Sequence, residues 1–322
     1  MKLYDYLSRY ELDIFRFPSD FISYKNSQWE RIQTAYERGN LEKLITTAIN
    51  QIEMNERFEV VKEDKKSLFL SMKQLFKKKQ DTDEQEQSQE ESNHSKNNVE
   101  LFDSNQMLSL IDPTIKDLDE VKKQFLEYLF KRQINWATKS EIFVDDAVYD
   151  DEILKYFLQR FPDTHLLLYK PVFLVKTAPV SVDIVLLSPT SAWCITILEE
   201  QNDVFQGASG RFWIHHTANG QKKVLSPILG LNRMEKVVEQ IFKAHDVDLP
   251  INKVVLNRTG FLDYPFPPSD IELVDIRSYE RWYAKLKNNP FPLKHSQLKA
   301  AEALLSSCQT GYVKRVHNES PS

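Results

Sequence analysis

Apolar positions along the chain follow two rhythms, separated by a stretch that follows neither. In residues 1–76 they recur every three or four positions, which predicts helices. Leu3, Tyr6, Leu7 and Tyr10 share that spacing, and Pro18-Ser19-Asp20 predicts a break after them. Ser27 stands three residues before Glu30, a capping-box spacing that would open a helix over WERIQTAYERG, with Gly39 closing it. Further helical segments are expected from Leu41 to about Glu53 and within 59–76. The aromatics of this region, among them Phe17, Phe21, Tyr24 and Trp29, are expected to pack its core.

Residues 77–100 hold no aromatic side chain and one apolar residue, Val99. Such a segment cannot bury enough surface to offset its ordering entropy, so it is expected to be a disordered polar linker. Residues 101–145 then predict a helical connector, with Val121, Phe125, Tyr128 and Leu129 forming an apolar stripe between about Asp117 and Trp136.

From residue 146 to 290 the second rhythm takes over. An acidic cluster from Asp145 to Asp151 leads into EILKYFLQRF, whose Ile153, Leu154, Phe157 and Leu158 lie on one helix face, and Pro162 ends it. LLLYKPVFLV, VDIVLL and WCITIL follow as strand candidates, the last two joined hairpin-fashion through Ser188-Pro189-Thr190-Ser191. RFWIHH, after Gly207 and Gly210, is a fourth. The helix NRMEKVVEQIFKAH, the strands KVVLN and IELVDI, and the helix YERWYAKLK complete an alternating pattern that predicts an α/β sheet. Residues 291–322 are expected to form a C-terminal helix and tail.

Composition narrows the function classes. The 322 residues carry 47 acidic against 42 basic side chains, a net charge of -5. A protein that coats nucleic acid through phosphate contacts is usually basic, so that role is disfavoured, while an enzyme with a locally positive groove is not. Cys194 and Cys308 are far apart and lack partners at metal-ligand spacing, so no disulfide framework is expected. No signal peptide is visible at the N-terminus, and no window approaches the roughly 20 apolar residues of a membrane span. The expectation is a cytoplasmic protein without a membrane partner.

The chemically informative stretch is SVDIVLLSPTSAWCITILEEQ. Asp183 interrupts one apolar strand and Glu199 closes the next, while Gln201 shares the face of Glu199 by strand alternation. A carboxylate in such a place is costly unless paired or bound to metal. Two of them on adjacent strands could hold a hard divalent cation, Mg2+ or Mn2+, which would lower the pKa of a bound water and stabilise phosphoryl charge. Acidic strand ends are also common for structural reasons alone, so both readings stand at this point.

The order of elements resembles the PD-(D/E)XK nuclease superfamily and, within it, the nuclease-related (NERD) group. That group has a glutamate-bearing helix, a strand with an aspartate, and a strand ending Ile-Glu-Val-Lys; a glycine and tryptophan segment and an Asn-Pro-x-x-Gln helix start follow. The matching positions are Glu152, Asp183, Leu198-Glu199-Glu200-Gln201-Asn202, Gly207 or Gly210 before Trp213, and Ser226-Pro227-Ile228-Leu229-Gly230. The resemblance spans about 140 residues, roughly Asp150 to Lys287. It implies a restriction-endonuclease-like mixed sheet flanked by helices, and the periodicity of residues 1–76 sets a mostly α-helical N-terminal region before it.

What the resemblance implies chemically is a Mg2+- or Mn2+-dependent phosphodiesterase acting on DNA. Asp183 and Glu199 would bind metal, Gln201 would position water, and Glu152 would assist. Gln201 replaces the family's lysine, which removes a positive charge beside the developing phosphorane, a loss that could reach several kcal/mol. The alternative is an inactive relative that keeps the fold as a scaffold for nucleic acid or protein, its N-terminal helices recruiting an unidentified protein partner. His215 and His216 fall on opposite strand faces and cannot share one ion. Arg211, Lys222 and Lys223 form a modest basic patch that could contact phosphate or simply be a solvated hairpin.

Overall fold

The computed structural model describes residues 2–4, 17–55, 104–137, 146–175, 178–199, 203–218 and 220–308. Its fold is mixed α/β with mixed sheets. Contacts divide the chain into two units, Ser23–Arg132 and the combination of Met1–Ile22 with Gln133–Ser322. The expected linker, 77–100, and the expected helix in 59–76 lie outside the described residues.

In the first of these units the described elements are helices: most of α1 (Phe17–Glu37), α2 (residues 41–55), α3 (Ser104–Ser109) and much of α4 (Leu118–Ala137). Ile32, Ile45, Met107, Leu108, Val121 and Phe125 are among its buried side chains, and Trp29 lies 5.5 Å from Phe125. Two expectations fail in α1. Pro18-Ser19-Asp20 does not break the chain but occupies the first turn, where the missing proline N–H would be unsatisfied in any case. Ser27 does not open a helix either, because it sits within one and its hydroxyl donates to the Tyr24 carbonyl at 2.9 Å. Gly39 does end the helix, at φ 66°, with the Asn40 N–H reaching back to the Ala35 carbonyl.

A third expectation fails at the N-terminus, where Lys2–Tyr4 is a strand, β1, instead of part of a helix. It runs parallel to β2 (Leu166–Tyr169), and the sheet supplies the hydrogen bonds that an isolated helical turn would have had to supply itself. The main sheet continues through β5 (Ile184–Leu187), β6 (Ala192–Ile197), β10 (Ile251–Leu256) and β12 (Ile271–Val274). The pairs β2–β5 and β5–β6 are antiparallel, and β6–β10 and β10–β12 are parallel.

The run LLLYKPVFLV, expected as one strand, is two. Pro171 and the positive φ of Lys170 (50°) bend the chain between β2 and β3 (Val172–Val175), which pairs with β4 (Ala178–Ser181) as a separate hairpin. A further sheet is ordered β11-β7-β8-β9, built from β7 (Val204–Gln206), β8 (Phe212–Thr217), β9 (Gly220–Leu225) and β11 (Phe261–Asp263).

The two faces of the main sheet bury different things. One carries Val185, Leu187, Ala192 and Cys194 into a core with Leu231, Met234 and Val238 of α6 (Pro227–Ala244) and with α8 (His295–Ser306). On the other, Trp193 meets Trp282 of α7 (Tyr279–Lys287), and Phe161 at the end of α5 (Glu152–Arg160) meets the same ring. His165 is wholly buried beside Phe161, and among the described residues neither of its ring nitrogens has a hydrogen-bond partner.

Candidate functional site

The register of β5 on β6 decides where the sequence-predicted carboxylates point. Ile184 faces Ile195 and Val185 faces Cys194, so Asp183 falls opposite Thr196, and the Thr196 hydroxyl donates to Asp183 Oδ2 at 2.7 Å. Asp183 therefore shares its face with Cys194 and Val185, on the α6 side, where it is exposed. Leu198 packs toward that same core, and Glu199 turns to the other side.

There Glu199 meets Arg258. Its Oε1 accepts from the Arg258 backbone N–H at 2.7 Å and from Nε at 2.6 Å, while Oε2 accepts from Nη2 at 2.7 Å. The two side chains are only 11% and 19% exposed. Burial alone would lower the Arg258 pKa, but the Glu199 carboxylate outweighs it and holds the guanidinium above its ordinary value. The same guanidinium lies 4.1 Å from the ring of Tyr156 in α5.

Beyond it a chain of phenols links α5 to α7. The Tyr156 and Tyr279 hydroxyls are 2.6 Å apart, Tyr279 stacks on Tyr283, and Tyr283 donates to the Arg160 carbonyl at 2.8 Å. Burial, then the Tyr279 hydroxyl, push the Tyr156 phenol well above its ordinary range.

Both oxygens of Glu199 are thus engaged by Arg258, and a cation approaching the carboxylate competes with a bidentate guanidinium. Asp183 and Glu199 are held by different partners on different faces. The donor set does not fit a shared Mg2+ or Mn2+. Among the described residues no group of three or more His, Cys, Asp or Glu is placed to hold a metal ion.

Glu152 is exposed in the first turn of α5, and its neighbour Asp151 makes the contacts instead. Asp151 caps the helix by accepting from the Ile153 and Leu154 amides and also receives the Tyr169 hydroxyl at 2.6 Å. Burial would raise its pKa, but these hydrogen bonds and Lys170 hold it below the ordinary carboxylate value. Gln201 lies outside the described residues.

Two flanking clusters tie the strand ends down. The turn after β10 is closed by Asn257, whose Oδ1 accepts from the Gly260 and Thr259 amides at 2.7 and 3.2 Å. A Cβ at Gly260 would stand 2.3 Å from the Asp203 carbonyl oxygen, so this close approach requires glycine. Lys253, buried on the α6 face, donates to Asn232 at 3.0 Å, Glu235 at 2.7 Å and Asp270 at 2.5 Å. His215 and His216 fall on opposite faces as expected: His215 is buried 2.6 Å from Asp203, and His216 meets Gln206 at 3.2 Å.

Sequence reasoning missed Arg258, Tyr156 and Tyr279. The register of β6 on β10 pairs Ile197 with Leu256, and two residues further it sets Glu199 beside Arg258. Only the parallel adjacency of those strands carries that signal, and it is a property of the fold. No family model, curated protein or solved structure matches the chain. Among the described residues no helix is long and apolar enough to cross a membrane.

Proposed function

We propose that the α/β unit is a non-catalytic scaffold of the restriction-endonuclease-like, nuclease-related kind, which binds a partner and does not cut phosphodiesters. The order of elements supports the likeness: a helix starting at Glu152, an antiparallel pair, a strand ending near Glu199, then a glycine–tryptophan segment and a proline-opened helix. The observation that carries the loss of catalysis is the Glu199–Arg258 pair. At the position where the family pattern puts a metal-binding glutamate, the carboxylate is neutralised and bound through both oxygens. Asp183, the residue that would complete such a site, faces α6 and is engaged by Thr196.

The expected result is that the full chain with Mg2+ or Mn2+ leaves supercoiled plasmid and single-stranded DNA intact at protein concentrations well above those of the DNA. Metal-dependent cleavage that Asp183→Asn and Glu199→Ala both abolish would overturn the reading and restore a nuclease.

A further inference from the structure

The four-stranded sheet β11-β7-β8-β9 alternates cleanly between its faces. Phe205, Trp213, His215 and Leu262 point inward and are buried. The alternate positions lie on the outer face: Phe212, Ile214 and His216 of β8, Lys223 and Leu225 of β9, and Phe261 of β11. Phe212 and its direct cross-strand partner Leu225 are 52% and 55% exposed, and Phe261 is 40% exposed. Aromatic side chains left this open on a sheet are costly unless something covers them.

A cation accompanies each ring. The Arg211 guanidinium carbon is 5.9 Å from the Phe212 ring, and that of Arg277 is 5.6 Å from the Phe261 ring. Arg277 is fixed in place by Asp275 and by the Leu262 carbonyl. Lys223 projects from the same face on the edge strand β9, opposite Ile214 and on the far side of Phe212 from Phe261, and Asp263 of β11 lies on this face as well. With Asp275 paired to Arg277 and Asp263 on the face, three cations stand against two carboxylates, a small positive excess in a chain of net charge -5.

The register sets the rings apart. Phe261 pairs with Val204 and Val204 with His216, four residues along β8 from Phe212. Two strand spacings and four residues of rise place the rings about 16 Å apart, the reach of a few unpaired nucleotides.

We infer that this outer face binds single-stranded nucleic acid, with Phe212 and Phe261 as base-stacking platforms and Arg211, Lys223 and Arg277 contacting phosphate. Open aromatic rings interleaved with cations on a sheet suit unpaired bases, which present a stacking surface whatever their sequence. A duplex keeps its bases stacked on one another and offers the rings nothing. The inference goes beyond the non-catalytic reading and does not depend on it, since cutting and binding are read separately.

The test is fluorescence anisotropy of the full chain with labelled oligo-uridine, oligo-thymidine and a duplex of equal length, at low and moderate salt. At least one single strand should bind, at least tenfold more tightly than the duplex; whether uridine or thymidine binds more tightly identifies RNA or DNA as the source. Phe212→Ala and Phe261→Ala should each weaken binding roughly tenfold, and Lys223→Glu should flatten the salt dependence. All three positions are exposed, so an unchanged melting temperature and circular dichroism spectrum would show that the variants fold. Three results would overturn the inference. They are no binding at low salt, duplex bound as tightly as single strand, or a chain that instead dimerises through Phe212 in sedimentation.

Discussion

Arg258→Ala is expected to lower the free energy of unfolding by about 2–3 kcal/mol in urea titration. Removing one partner of a buried, hydrogen-bonded ion pair costs about 3–5 kcal/mol, because the remaining charge is stranded. The figure is reduced here because Glu199 and Arg258 retain 11% and 19% of their exposure, which lets some water reach the orphaned carboxylate. Glu199 would keep the Arg258 backbone N–H and lose both guanidinium bonds, and Tyr156 would lose the cation over its ring. The double variant Glu199→Leu with Arg258→Leu should be more stable than Arg258→Ala by at least about 1 kcal/mol, since no charge is then left alone. If Arg258→Ala stayed within about 0.5 kcal/mol of the parent, the pair would be an ordinary exposed salt bridge and would not close the site.

Lowering the pH from 7 to 4 should remove about 3 kcal/mol of stability through His165 alone. Burial, the largest cause, holds this imidazole down at about 4, against an ordinary value of 6.5. The folded state therefore favours the neutral ring. Above 6.5 the ring is neutral in both states and its contribution is constant. Below 6.5 the unfolded chain takes up a proton that the folded chain refuses, so stability declines until the folded ring itself titrates near 4. The gap is worth about 1.4 kcal/mol per tenfold difference in proton affinity, hence the total. Asp151 and Asp275 are both held below their ordinary 3.8, so their stabilisation is lost in a lower window, as pH falls below that value. His165→Leu should flatten the unfolding free energy between pH 6.5 and 4 while leaving the steeper loss below 4. A variant whose profile still matched the parent between 6.5 and 4 would show that His165 does not set the slope.

Much of the fold was legible because its periodicities are strong. The stripe in α5, the proline that ends it, the serine-bounded hairpin between β5 and β6, and the helices α6 and α7 follow directly from residue spacing. The strands β7, β9 and β11 escaped for physical reasons. Two are three residues long, and β9, GQKKVL, is a polar edge strand whose pairing comes from its neighbour more than from its own side chains. Ser27 misled because a serine hydroxyl can satisfy itself on the preceding turn as readily as it can cap a new one.

At the candidate site, the unusual position of Glu199 could be read from the chain, since a glutamate ending an apolar strand must be compensated. What compensates it could not. The partner is 59 residues away, and only the parallel pairing of β6 with β10 brings it alongside. The opposite orientation of Asp183 likewise depends on register. Shifting the β5–β6 pairing by one residue would move the Asp183 carboxylate to the face of Glu199.

The most direct test of a closed, non-catalytic strand end is a Mn2+ titration of the full chain followed by melting temperature, alongside Asp183→Asn and Glu199→Ala. No Mn2+-dependent rise is expected in the parent at millimolar metal. A saturable rise in the parent that is lost in both variants would mean that the two carboxylates meet around one ion, and would contradict a closed strand end.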